Sequence, residues 1–258
     1  MRKIFAVLIL ILLFSKLESQ TFSDFLTRIY ATPESGRTAL VDSFMNAVAA
    51  FPFIEQDTLA HFIYRGNASS VTVPGDANGW NANSNFMTKI SGTNFWFRTE
   101  VYENDARLDY KFVLNGSTWI VDPRNPNTCT GGYGPNSELR MPIYQVPPEI
   151  AYYPSIAHGA LKDTTYYSVN LGNSRTIRVY LPPGYSSSTS SYPMILFHDG
   201  LEYVSLAGAN NVLDYLIHHQ RIEPVIAVFV PPVSPEKRGD EYAGNLQNKF
   251  TQFIIEEI

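Results

Sequence analysis

Residues 194–203, MILFHDGLEY, run from four apolar side chains straight into His198, Asp199 and Gly200. An imidazole, a carboxylate and a residue without a side chain, placed at the end of a strand-length apolar run, compose a site better than a core. In open α/β folds, ligands bind beyond the carboxyl ends of the strands, which is where these three residues fall if the run is a strand of a parallel sheet. His198 by itself reads as a hydrogen-bonded structural histidine, and Arg238 of KRGDEY as a surface partner of Asp240 or Glu241. Two further histidines, His218 and His219, close a helical stretch and read as caps of its last carbonyls. Adjacent histidines point to different sides of a helix, and no further ligands accompany them, so no metal site is expected. No cofactor motif is present either.

Apolar patterning shows what must position this strand end. MILFHDG is preceded by the strand-like TIRVYLPPGY and followed by a helical face of Leu206, Ala209, Val212, Leu213, Leu216 and Ile217, then by the continuous apolar strand VIAVFV. Strand, helix, strand implies parallel pairing through a crossover. Leu246, Phe250, Phe253 and Ile254 mark another helix, still running at Ile258. A proline-marked connection, Val146-Pro147-Pro148, separates this region from a different one upstream. There, HFIYRG, SSVTVPG, NFWFRTEVY and LDYKFVLNG alternate with Gly and Asn turns, and Asn115-Gly116 before STWIVD is a strong hairpin signal. Short strands at such spacing suggest a β-sandwich of about 90 residues. Residues 21–51 read as helix, with Leu40, Phe44 and Val48 on one face and Pro52 as the stop.

Composition narrows the class. Of 258 residues, 45% are hydrophobic and 14% aromatic, while only 17% are charged; this suits a globular, β-rich chain. Met1-Arg2-Lys3 followed by an unbroken apolar run from Ile4 to Phe14 matches a secretory signal peptide, and eleven apolar residues fall short of a bilayer span. Removal of residues 1–20 takes away Arg2, Lys3 and Lys16 against Glu18, leaving 16 basic and 23 acidic residues. That balance argues against nucleic acid as a partner and, with the signal gone, nothing is expected to remain inserted in a membrane. The location expected is secreted or periplasmic. The sole cysteine, Cys129, permits no intrachain disulfide.

Two resemblances sharpen these expectations. GDANGW (75–80) and YKFVLNGSTWIVDPRNP (110–126) resemble the early-set immunoglobulin-like domains of glycogen-binding and branching-enzyme type. In sugar-binding members, tryptophans stack on glucan and a strand lysine reaches its hydroxyls, which the resemblance assigns to Trp80, Lys111 and Trp119, with Asn136 beside them. The alternative is that the tryptophans merely cover a sheet. RVYLPPGY, YPMILFHDGLEY, LDYLI and VIAVFVPPVSPEKRGDEY resemble the putative esterase family of α/β-hydrolases, which includes enterochelin, feruloyl and acetyl-xylan esterases. The resemblance implies that the turn after the strand supplies a backbone donor of the oxyanion hole, at Gly200 and Leu201, and that Asp199 and Arg238 serve substrate binding.

The same family needs a serine in G-x-S-x-G, then an acid, then a histidine. Only Gly75 and Gly79 are four apart, and Ala77 lies between them. The expected organisation is therefore a signal peptide (1–20), a helical arm (21–55), an early-set sandwich (56–145), a linker (146–165) and the N-terminal part alone of an α/β-hydrolase domain with a parallel sheet (166–258). Two functions follow from it. One is an exported ester hydrolase acting on a small-molecule or carbohydrate-linked ester, the nucleophile lying outside this truncated chain, with glucan as a further ligand. The other is a carbohydrate-binding protein with a vestigial hydrolase partner.

Overall fold

The computed structural model describes residues 21–185 and 191–258; the expected signal peptide lies outside them. The chain forms two units, one running to Cys129 with Asn136–Tyr144 added, the other made of Thr130–Pro135 and Gln145–Ile258.

In the first unit the helical stretch is two helices, α1 (Phe22–Ala31) and α2 (Glu34–Ala47). Thr32-Pro33 separates them, because proline disfavours helical geometry at the residue before it. Thr21 caps α1 by accepting the Asp24 amide hydrogen at 3.0 Å. Both helices lie on a sheet of order β1-β2-β5-β4, built from Phe53–Glu55, Leu59–Arg65, Phe95–Val101 and Thr88–Lys89 in that order. Strand alternation explains how that sheet is buried on both faces. Ile63 and Phe95 join Phe22, Phe25, Ile29 and Phe44 of the helices in one core. Ala60, Phe62 and Trp96 point the opposite way, into a second core with Val71, Tyr110, Phe112 and Leu139.

That second core is closed by two three-stranded sheets, the antiparallel β3-β7-β8 (Val71–Thr72, Phe112–Leu114, Thr118–Ile120) and β6-β10-β9 (Arg107–Tyr110, Gly134–Arg140, Thr128–Gly131), in which β6 and β10 pair antiparallel. The expected single strand LDYKFVLNG is thus divided: β6 and β7 belong to different sheets, and the chain passes between them at Lys111. The hairpin at Asn115-Gly116 forms as expected, with φ of 54° and 76° and the Ser117 amide donating to Leu114 O. DPRNP is held by a buried network in which the Tyr110 hydroxyl donates to Asp122 Oδ2 at 2.8 Å and Asn125 Nδ2 donates to the Tyr110 oxygen. Cys129 donates its thiol hydrogen to Asp109 Oδ2, and burial with that carboxylate pushes the thiol up to about 11.

The second unit is a four-stranded sheet of order β11-β12-β14-β13, comprising Ala160–Ser168, Asn173–Leu181, Ile226–Val230 and Met194–His198. It is a mixed sheet. β13 and β14 pair in parallel, as the strand–helix–strand pattern implies, whereas β12 pairs antiparallel with both β11 and β14. β11 begins at Ala160, inside the stretch read as a linker. β14 is buried on both faces: Ala227 and Phe229 pack with Tyr180, Ala209 and Leu213, while Val228 and Val230 pack with Ile177, Phe250 and Phe253. Burial of one such large apolar side chain contributes about 1.5–3 kcal/mol. The helix expected across 206–217 is broken. α3 (Gly200–Ser205) ends before Leu206, and α4 (Ala209–His218) starts after Gly208, whose φ of 62° suits glycine. α5 (Arg238–Ala243) and α6 (Gln247–Gln252) follow β14, and α6 widens into a π-helical turn over Phe253–Glu257.

His61 ties helix to sheet in the first unit. Its Nε2 lies 3.0 Å from Glu55 Oε2 and its Nδ1 2.8 Å from Thr99 Oγ1, while both Glu55 oxygens accept the Phe22 amide hydrogen. A neutral ring satisfies both contacts, donating from Nε2 and accepting at Nδ1. Burial, opposed by Glu55, lowers the His61 pKa from 6.5. The unfolded chain therefore binds the extra proton first, and His61's share of stability is complete above 6.5 and lost as pH falls through the folded value. Thermal melts should show Tm falling on acidification below 6.5, with a shallower decline in His61→Gln; equal slopes would remove His61 from this role.

Candidate active site

Four elements meet at the end of β13. His198 is its last residue, Asp199 follows with a left-handed φ of 55°, and Gly200 opens α3. The glycine is required by packing: a Cβ there would lie 2.2 Å from the Phe229 carbonyl carbon and 2.3 Å from the Val230 nitrogen. The unusual torsion belongs to Asp199, and Gly200 provides the close approach to β14 instead.

α5 holds the turn from the other side. Arg238 grips Asp199 in a two-pronged ion pair, Nε to Oδ1 at 2.8 Å and Nη2 to Oδ2 at 2.7 Å. The Asp199 amide hydrogen is donated to the Tyr242 hydroxyl oxygen at 2.9 Å. Arg238 and Tyr242 stand one helical turn apart, and the guanidinium lies 5.1 Å from the Tyr242 ring centroid. The Arg238 guanidinium holds the Asp199 carboxyl below its usual range, with burial opposing it. Burial pushes the Tyr242 hydroxyl up to about 12, so it remains protonated near neutrality. With the Asp199 amide occupied, the next two stand apart: the backbone bonds of the turn run from Glu202 and Tyr203 to Asp199 O, and the Gly200 and Leu201 amides make none among the described residues.

The turn opens on a cleft of about 680 Å³ whose lining includes Phe197, His198, Asp199, Tyr203, Arg238, Glu241, Tyr242 and Phe250. Its floor is aromatic. Phe197 stacks on Phe229 at 4.8 Å, and His198 lies 5.5 Å from the ring centroids of both Tyr242 and Phe250. Among the described residues β13 stands at one end of the strand order, and Met194 is 58% exposed.

The structure thus brings together His198, Asp199, Gly200, Leu201 and Arg238. Arg238 is paired with Asp199; Asp240 pairs with Lys237, and Glu241 turns inward to Arg175. Tyr242 and Arg175 are not singled out by sequence reasoning, although Tyr242 is four residues beyond Arg238. His219 Nδ1 lies 2.8 Å from Tyr215 O, the expected capping contact, and among the described residues no cluster of three metal-ligating side chains occurs. The proposed sugar-binding residues come from three segments of the first unit. Trp80 follows a 3-10 turn and donates Nε1–H to Asp76 Oδ1 at 3.0 Å; Lys111 lies between β6 and β7; Trp119 sits in β8, 44% exposed. Asn136 is buried and donates to Asp109.

Residues 168–258 match the family model described as putative esterase. The enterobactin esterase FES from Shigella flexneri, solved in the presence of enterobactin, has a similar fold, with a TM-score of 0.61 at 20% identity over 84% of this chain and 63% of that one. The ferric enterobactin esterase from Salmonella typhimurium matches with a TM-score of 0.59 at 17% identity, covering 73% of this chain and 57% of that one. Among curated proteins, the uncharacterised protein YjcH of Bacillus subtilis (strain 168) is 26% identical over 103 residues, 39% of this chain and 42% of YjcH. The chain spans less than two thirds of the length of each.

Gly200→Ala forces its methyl into the β14 backbone, and about 1–3 kcal/mol of stability should be lost. Gly239, in α5, has nothing within 4 Å of the position a methyl would take, and Gly239→Ala should gain roughly 0.5–1 kcal/mol. Denaturant titrations of the two variants check this, and a neutral Gly200→Ala would dismiss the close-approach argument.

Proposed function

We propose that this chain carries part of the oxyanion apparatus of an exported serine ester hydrolase of enterochelin- and feruloyl-esterase type. The observation that supports it most is the pair of Gly200 and Leu201 amides without an acceptor among the described residues, in a turn gripped through Asp199 at the rim of an aromatic-floored cleft. In ester hydrolysis the tetrahedral intermediate places negative charge on the former carbonyl oxygen. A donor held rigidly beforehand stabilises that charge without reorganising during the reaction. The Leu201 N–H is the donor in this reading, Asp199 and Arg238 fix its path, and Arg238 keeps Nη1 for an anionic or hydroxyl-rich portion of a small-molecule or carbohydrate-linked ester. The serine, acid and histidine are supplied outside residues 1–258, since no serine here stands in G-x-S-x-G. Residues 1–20 direct export, and the N-terminal unit is an early-set immunoglobulin-like module.

Fluorophosphonate labelling and p-nitrophenyl acetate turnover test this. The 258-residue chain should show neither above an albumin background; a labelled serine within it would overturn the placement of the nucleophile. In the enzyme that joins this segment to its nucleophile, Leu201→Pro deletes one amide donor at a position where a first helical turn tolerates proline. It should lower kcat by ~10²–10³ with little change in KM, whereas Leu201→Ala should retain most of kcat. An undiminished kcat in Leu201→Pro would remove the amide from the site.

A second reading, glucan binding by the first unit, is favoured by the exposure of Trp119 on β8. Retardation in a glycogen-containing gel should then disappear in Trp80→Ala and Trp119→Ala. No retardation of the unsubstituted protein would leave the tryptophans as covers of their sheets.

A further inference from the structure

Beside the contacts that α5 makes with Asp199 lies a fully buried ion pair that the hydrolytic reading does not use. Arg175 of β12 and Glu241 have side chains 1% and 0% exposed. They meet in parallel, Nη1 to Oε2 at 2.9 Å and Nη2 to Oε1 at 2.8 Å. Arg175 also donates to Pro231 O and Asn173 Oδ1, and Glu241 Oε2 accepts the Val233 amide hydrogen. The guanidinium packs over the Phe253 ring at 4.9 Å. Through Glu241, α5 is bonded both to β12 and to the segment leaving β14, and Arg175 joins β12 to that same segment, so the pair fixes a short helix to the middle of the sheet.

α5 has six residues, too few to be stable by its own hydrogen bonds. Yet from neighbouring positions of one face it sends Arg238 and Tyr242 to Asp199 and Glu241 to Arg175. We infer that Arg175 and Glu241 are positioning residues for the turn at 199–201, acting through α5. With Glu241 held bidentately, α5 cannot rotate or slide without breaking two charge-assisted hydrogen bonds. Arg238 and Tyr242 therefore meet Asp199 in one geometry, and the Gly200 and Leu201 amides keep one direction. A buried ion pair is weak support for net stability, since well-packed apolar residues of similar volume often serve as well. What apolar residues cannot reproduce is the fixed orientation of α5. The catalytic consequence rests on the oxyanion reading; the mechanical link from Arg175 to Asp199 does not.

Amide hydrogen exchange separates orientation from stability. In the double variant Arg175→Met/Glu241→Leu, which leaves no unpaired charge, Tm should stay near that of the unsubstituted protein while exchange of the bonded amides at 199–203, those of Asp199, Glu202 and Tyr203, rises by about tenfold or more. Exchange in β11 and β12 outside the pair should not change. Glu241→Gln, which keeps the shape and weakens the fork, should give a smaller rise at the same amides. Exchange at 199–203 unaltered in either folded variant would overturn the inference. The unsubstituted protein offers a check that needs no variant: the Asp199 and Val233 amides should open together across denaturant concentrations, and an Asp199 amide that exchanges far faster than Val233 would equally overturn it. Exchange is read without any ester, so a failure of hydrolysis assays and a failure of this link are separate results.

Discussion

The second unit is organised by one close approach, that of the Gly200 backbone to the backbone of β14 at Phe229 and Val230. A side chain at 200 would force α3 away from the sheet, and the turn that precedes it would move with α3. Because contact is made through main-chain atoms, α3 starts at a distance set by β14 itself. Asp199 then has little choice: it takes a left-handed torsion, which costs a non-glycine residue on the order of 1 kcal/mol, and its side chain and amide are both secured by α5. The local strain is held in place by partners on a different element.

β14 can serve as that reference because it is covered on both faces. Its alternating residues divide between two cores, and the strand pairs with β12 and β13 along its two edges. The first unit uses the same device. β2 and β5 send Ile63 and Phe95 toward the helical layer, and Phe62 and Trp96 toward the other sheets. The helical arm is thus the cover of one sheet face, and it is fastened at its start by the Glu55 carboxylate on the Phe22 amide.

Features written in short runs are legible in the sequence. VIAVFV announces a strand buried on both sides, Asn115-Gly116 announces its hairpin, and HDG announces the end of β13. Features that depend on partners far away in the chain are not. Arg175 and Glu241 are 66 residues apart, and nothing in RTIRVY distinguishes an arginine bound for the interior from one bound for solvent. Asp214 is similar: it falls on the buried face of α4, where it accepts from the Tyr180 hydroxyl and the Gly159 amide and lies 2.8 Å from His158 Nδ1. Helical periodicity marks the face but not the polar cluster waiting there. The role of Gly200 is hidden for the same reason, since a glycine needed for its torsion and one needed for its missing methyl look identical in sequence.

The passage of the chain from β6 to β7 at Lys111 has a mechanical corollary. One residue separates Tyr110, paired with Ser137 in one sheet, from Phe112, paired with Ile120 in another. There is no slack between them. A tug that peels β6 from β10 is transmitted through the single residue Lys111 to β7, so the two sheets have to yield as a single block under load. An inserted residue at that point would act as a hinge, uncoupling them without altering the composition of either.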